Sequence, residues 1–183
     1  ISIESVSKVW NACGLRIGAL VTDNKMMYKK VRSEYTANLC ANVIGQYVFG
    51  AVAQMSSKEI LEWYSNQRAY YSDAINSLIR GLRDELPGLI LSSPGAAIYI
   101  VLDFKNITPS DFNISKFIDY CSLKGKIKIN DKYHTLLLSP MRGFYNDKSK
   151  GKKQARIALV EPDSKMSIVP KILSRLLANY LSL

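Results

Sequence analysis

Lys8 follows two hydroxyl side chains, Ser5 and Ser7, and precedes the segment Gly14-Leu15-Arg16-Ile17-Gly18. An amine must lose its proton before it attacks an aldehyde, and a lysine near another cation in a partly desolvated pocket loses it more readily. Arg16 could supply that cation, and its planar fork of donors also suits a phosphate group. Gly14 and Gly18 would let backbone approach closely on either side of Arg16. The chemistry these residue types fit is a Schiff base on Lys8 with an anion gripped by Arg16. A serine-rich segment with a lysine fits a solvated loop equally well.

A second arginine, Arg156, opens the apolar run Gln154-Ala155-Arg156-Ile157-Ala158-Leu159-Val160. Its fork would match a planar carboxylate, and an arginine at the start of a strand also suits a surface or sheet edge.

These residues must be positioned by regular elements, and the hydrophobic pattern suggests which. Residues 16–22 read as a short buried strand, residues 24–34 and 41–55 as helices. The strongest helical signal covers residues 57–86, where Ile60, Tyr64, Tyr71, Ile75, Leu78, Ile79 and Leu82 form one apolar stripe. Ser56 and Glu59 have capping-box spacing at its start, and Pro87-Gly88 ends it. A helix of that length runs about 45 Å, longer than most globular helices, and reads as a connector between two domains. Beyond it come a strand at 96–104, a helix at 110–123, strands at 133–138 and 155–160, and a helix at 167–181. That succession makes a compact two-layer α/β unit, with the domain boundary inside the long helix.

Composition excludes some classes. No apolar run reaches the roughly 20 residues a membrane helix needs. The beginning, Ile1-Ser2-Ile3-Glu4, has neither the charged nor the apolar region of a secretory signal. It also lacks an initiator methionine and opens inside an alternating apolar/polar stretch, which reads as a processed, cleaved or partial chain. Cys13, Cys40 and Cys121 form no CxxC pair, and the one histidine, His134, has no cysteine near it. A metal site or disulfide framework is not expected, and the setting expected is reducing and cytoplasmic. The net charge of +10 is densest in Lys148-Ser149-Lys150-Gly151-Lys152-Lys153. No aromatics interleave that run to stack on bases, so it reads as a solvated loop, and neither nucleic acid nor membrane is expected as a partner.

The pattern S-x-S-K followed by G-x-R-x-G resembles the cofactor-lysine signature of class I/II pyridoxal-phosphate-dependent aminotransferases, the aspartate aminotransferase-like branch of fold type I. The Gln154–Val160 segment is similar to that family's late strand. Gly95-Ala96-Ala97-Ile98-Tyr99 resembles its small-domain strand near the substrate, and the long helix falls where the family has its interdomain connector. The resemblance implies the C-terminal half of such an enzyme: residues 1–60 as the trailing part of the large cofactor domain, 57–86 as the connector and 88–183 as the small domain. It implies that Lys8 forms the internal aldimine with pyridoxal 5'-phosphate, that Ser5 and Arg16 hold the phosphate with Ser7 as the motif's second hydroxyl, and that Arg156 pairs with the substrate α-carboxylate. The reaction implied moves an amino group between an amino acid, aspartate among the candidates, and a 2-oxo acid. A dicarboxylate would need another cation, for which Arg32 and Arg142 are candidates on charge alone. A homodimer is implied too. The family's carboxylate at the pyridinium nitrogen, its ring-stacking aromatic and its tyrosine and asparagine at the ring oxygen all precede the lysine, so they are expected from a missing N-terminal half. This chain alone is then expected to be inactive. Lyases and synthases of the same fold share both motifs, and a non-catalytic basic binding module is the alternative from another class.

Overall fold

Val6, Ile17 and the residues flanking them organise the first part of the chain. A computed structural model describes residues 1–38 and 41–183. Strand β1 (Ser2–Ser5) pairs antiparallel with β2 (Gly18–Val21), so that Ser5 stands opposite Gly18 and Ile3 opposite Leu20. Between them lie the one-turn helix α1 (Val6–Val9) and a 3₁₀ turn, Cys13–Leu15. Helix α2 (Lys25–Ala37) starts where Asn24 accepts a hydrogen bond from the Met27 amide. Helix α3 (Val43–Gly50) starts in the same way, with the Asn42 side chain accepting from Gly45 N–H. Helix α3 falls inside the segment 41–55 read as helical, whereas α2 runs three residues past the expected end at 34.

The long helix is present as α4 (Ser57–Glu85), 29 residues long. Its start is the capping box expected from the sequence: Ser56 Oγ accepts from Glu59 N–H at 3.3 Å, and Glu59 Oε2 accepts from Ser56 N–H at 2.7 Å. Gly88, at φ +89°, turns the chain after it. The apolar stripe, however, is not buried evenly. Ile75, Leu78 and Leu82 are buried, whereas Ile60, Tyr64 and Tyr71 are only half-buried. The chain divides into two compact units, residues 1–64 and 65–183, at a point within α4.

The second unit is built on a four-stranded antiparallel sheet in the order β3 (Ile90–Leu91), β4 (Tyr99–Asp103), β8 (Gln154–Ala158), β7 (Ser139–Pro140). Period-two alternation along β4 and β8 sends Ile100, Leu102, Ala155 and Ile157 into the core. There they join residues of α5 (Ile114–Leu123), α7 (Val169–Leu181) and the end of α4, including Phe117, Leu173, Leu176 and Leu82, all fully buried. Helices α4 and α7 are close at Gly81, where a Cβ would come within 2.8 Å of Pro170 Cγ. The short helix α6 (Asp163–Met166) leads into α7.

Several expectations change. Strand β2, read as part of a buried strand, is exposed along its whole length. Lys8 lies in the helical turn α1 and not in a loop. Residues 133–138 are not one strand: β6 (Lys132–His134) pairs in a small hairpin with β5 (Ile127–Ile129), and β7 begins only at Ser139. The turn at Asn130 and Asp131, both with positive φ, joins β5 to β6, and β6 ends at His134. Strand β3, short and edge-placed, was not anticipated. Of the cysteines, Cys121 is buried and Cys13 exposed, while Cys40 lies outside the described residues. Among the described residues, no helix is long and apolar enough to cross a membrane, and no cluster of His, Cys, Asp and Glu could hold a metal ion.

Candidate functional site

The β1–β2 pairing decides where the N-terminal motif falls. Because Ser5 is opposite Gly18, and Val6 N–H donates to the Ile17 carbonyl at 3.3 Å, the chain segments carrying Ser5, Lys8 and Arg16 leave the same end of the two-stranded ribbon. Ser5 and Arg16, eleven apart in sequence, are thereby returned to one another's neighbourhood by the ladder. Ser5 caps α1, its Oγ accepting from Ser7 N–H at 3.3 Å. That leaves the Ser5 hydroxyl proton for another acceptor. Ser7 is half-buried, and Lys8 points from the last turn of α1 with an exposed side chain.

Arg16 adopts φ +54°, ψ +41°, the left-handed region that an L residue enters only under local constraint. Its Nη1 donates to the Cys13 carbonyl at 3.2 Å, which folds the side chain back over its own turn. A guanidinium has five donors, so most of the fork stays available to an anion. The turn itself rests on α3. Asn42 Nδ2 donates to the Leu15 carbonyl at 3.4 Å, and a Cβ on Gly45 would overlap that same Leu15 oxygen. Gly18 is a close approach too, with a Cβ falling 3.0 Å from the Glu4 carbonyl oxygen. Gly14 is not: a Cβ there would meet nothing within 4 Å, so its expected role in close packing is absent.

Trp10, two residues beyond Lys8, was not singled out by the sequence. Its indole stacks on Trp63 with centroids 4.9 Å apart and an interplanar angle of 25°, and it also meets Tyr64 at 5.2 Å and Phe49 at 5.5 Å. Its partners come from α3 and the start of α4, far along the chain, so no local pattern could have revealed the cluster.

In the second unit, Arg156 projects from β8 on the face opposite the core, between Val101 on β4 and Ser139 on β7. Its guanidinium carbon lies 4.3 Å from the Tyr99 ring centroid and 4.8 Å from that of Phe144. Both rings are within cation–π range of the guanidinium, which carries five N–H donors. The carboxylate on that sheet face, Asp103, is already engaged: Gln154 Nε2 donates to its Oδ2 at 2.8 Å and the Lys105 amide to its Oδ1 at 3.0 Å. Tyr145 in turn donates to Gln154 Oε1 at 2.7 Å. Arg156 has no carboxylate partner among the described residues. A half-buried guanidinium without its own counter-ion suits a planar carboxylate ligand.

The two cations named for a dicarboxylate part company. Arg32 is exposed on α2, along a groove of about 820 Å³ also lined by Lys25, Tyr28 and Lys29. Arg142 is exposed in the 3₁₀ turn Met141–Phe144, the turn that brings Phe144 to Arg156.

No family model and no curated protein matches the chain. Solved structures do. An α-aminoadipate aminotransferase from Thermus thermophilus, complexed with N-(5'-phosphopyridoxyl)-L-leucine, superposes with a TM-score of 0.76 at 17% identity over 98% of this chain and 42% of that one. A kynurenine aminotransferase from Pyrococcus horikoshii gives 0.72 at 20% identity, covering 98% and 40%. N-succinyldiaminopimelate aminotransferase from Mycobacterium tuberculosis gives 0.75 at 15% identity, covering 95% and 41%. The fold is therefore that of fold-type I aminotransferases, and the chain spans about two fifths of the length of the structures it matches. Their named substrates differ, and aspartate is not singled out among them.

Proposed function

We propose that this chain, with the C-terminal part of the fold-type I aminotransferase architecture, contributes the cofactor lysine and the substrate-carboxylate arginine of a pyridoxal-phosphate-dependent aminotransferase. The observation that carries the reading is the return of Ser5, Lys8 and Arg16 to one end of the β1–β2 ribbon. A hydroxyl with a proton to give, an exposed amine and a guanidinium with most of its fork available make a donor set that fits a phosphorylated aldehyde.

In this reading Arg16 and the Ser5 hydroxyl hold the phosphate, with Ser7 beside them on α1. Lys8 would hold the cofactor through its Nζ and, with an amino acid in its place, would move a proton to and from the substrate α-carbon as general acid and base. Arg156, within cation–π range of Tyr99 and Phe144, would orient the α-carboxylate through its paired N–H donors. When bound, the cofactor supplies the electron sink for the carbanion that proton removal leaves. The groups that pair with the pyridinium nitrogen and stack on its ring would come from the part of the fold outside these 183 residues. The same reading assigns residues 1–60 to the large domain, 57–86 to the connector and 88–183 to the small domain, and takes the whole protein to be a cytoplasmic homodimer working in amino-acid metabolism.

The test is chemical. The protein carrying this chain is incubated with pyridoxal 5'-phosphate, reduced with borohydride and mapped by mass spectrometry. The label should appear on Lys8 and vanish in Lys8→Ala, with turnover falling about 10²–10⁴-fold or more. A label on another lysine would remove the assignment.

A further inference from the structure

Helix α1, which carries Lys8, has four residues. A single helical turn fixes several dihedrals for one hydrogen bond and has no stability of its own in water. Something outside it must therefore hold Lys8 in place. At its N-terminal end the ribbon does so, through Val6 N–H on the Ile17 carbonyl and the buried Val6 side chain. At its C-terminal end the chain turns sharply: Trp10 caps α1, with its own N–H on the Val6 carbonyl, and Asn11 follows at φ +51°. There the fixed point is the Trp10 ring, which stacks on Trp63, tilts against Tyr64 and meets Phe49 edge-on. Trp63 and Tyr64 are themselves in edge contact at 5.3 Å, so the three rings form one mutually touching cluster.

We propose that Trp10 is the positioning residue for Lys8, and that Trp63, Tyr64 and Phe49 form the cage through which α3 and the start of α4 set the place of the amine. The role rests on the reading of Lys8 as the cofactor lysine. Trp10 touches no reacting atom in this scheme. It acts through the two-residue backbone link to Lys8, and displacement by about 1 Å of a reacting group is enough to cost about 10²-fold in rate or binding.

The cage draws on three elements, so its effect can be separated from that of one side chain. The protein carrying these residues is compared as wild type, Trp10→Ala, Trp10→Phe, Trp63→Ala and the Trp10→Ala/Trp63→Ala pair. The near-ultraviolet circular dichroism of the unliganded proteins first reports the stacked indoles. Imine formation with pyridoxal 5'-phosphate is then titrated by absorbance as a function of pH, and borohydride reduction identifies the lysine. Trp10→Ala should lower the association constant at Lys8 by about 10²-fold and move the pH at which the imine changes protonation. Trp10→Phe, which keeps a ring in the cage, should restore most of both. Trp63→Ala should reproduce the shift, and the pair should add little to either single change, as for residues in contact. If Trp10→Ala does not fold, Trp10→Leu takes its place, keeping bulk without a ring. A normal titration at Lys8 in a variant whose indole signal is lost would overturn the positioning role and leave the proposed function standing. Absence of any imine at Lys8 in the wild type would instead remove the proposed function, and the positioning role with it.

Discussion

Two glycines on α3 should answer the same substitution with opposite signs. In a helix, glycine to alanine ordinarily stabilises by about 0.5–1 kcal/mol, since glycine loses more backbone entropy on folding. Gly50 has helical dihedrals (φ −58°, ψ −23°), and a Cβ there would meet nothing within 4 Å. Gly50→Ala should therefore realise that gain. At Gly45 the new Cβ overlaps the Leu15 carbonyl oxygen and presses on Ile17 Cγ1 at 3.1 Å. The obstacle is backbone and cannot rotate away, which places the overpacking cost near the upper part of its about 1–3 kcal/mol range. Subtracting the entropic gain leaves a net loss of about 1–2 kcal/mol. At about 4–8 °C per kcal/mol for a unit of this size, the melting temperature of the first unit should fall by roughly 5–15 °C. Leu15 immediately precedes Arg16, so Gly45→Ala should also push the Arg16 turn off α3 and, on the proposed function, weaken pyridoxal phosphate binding, while Gly50→Ala leaves that affinity unchanged. Thermal unfolding by circular dichroism and a cofactor titration on both variants measure the two effects. Equal stabilisation by the two alanines would show that the Arg16 turn does not rest on α3, and the account of how Arg16 is placed would fall with it.

Other expectations concern the arginines and a buried thiol. Arg156→Lys keeps the charge between Tyr99 and Phe144 but loses the fork; amino-acid binding should weaken by about 1.5–3 kcal/mol, one charged hydrogen bond, and by about 2–5 kcal/mol in Arg156→Ala. Arg16→Ala should loosen the cofactor and leave substrate affinity of the loaded enzyme nearly unchanged, so indistinguishable titrations for the two sites would contradict the division of roles. Burial pushes the Cys121 thiol up from 9.0 to about 11. The folded state then keeps a proton that the unfolded chain releases, so stability is fully present below pH about 9 and is lost as pH rises towards about 11, by roughly 2–3 kcal/mol. Urea unfolding across that window should show a steeper decline in the wild type than in Cys121→Ala, and parallel curves would mean the thiol is not held neutral by the fold.

Much of this architecture is local in origin and therefore legible along the chain. The capping box at Ser56 and Glu59, the apolar recurrence through α4 and the glycine after it are short-range chemistry, and α4 runs Ser57–Glu85 where 57–86 was expected. Asn24 and Asn42 likewise start helices by bonding amides three residues on. Residue type suggested what Lys8, Arg16 and Arg156 could do, whereas the role given to each came from the resemblance to a known family. What the sequence left open is what depends on partners distant in the chain. The alternation in Gln154–Ala158 implied two faces, but only the pairing of β8 with β4, and the turn at Met141–Phe144, brought two aromatic rings to Arg156 and gave Asp103 to Gln154 instead. The stripe on α4 looked continuous, yet its first half is only half-buried, because periodicity marks an apolar face without saying what packs on it. Trp10 carried no signal at all, since a one-turn helix has no period and the rings that hold it belong to α3 and α4. Hydrogen bonds within a turn are encoded where they form; contacts between elements exist only once the chain has folded back on itself.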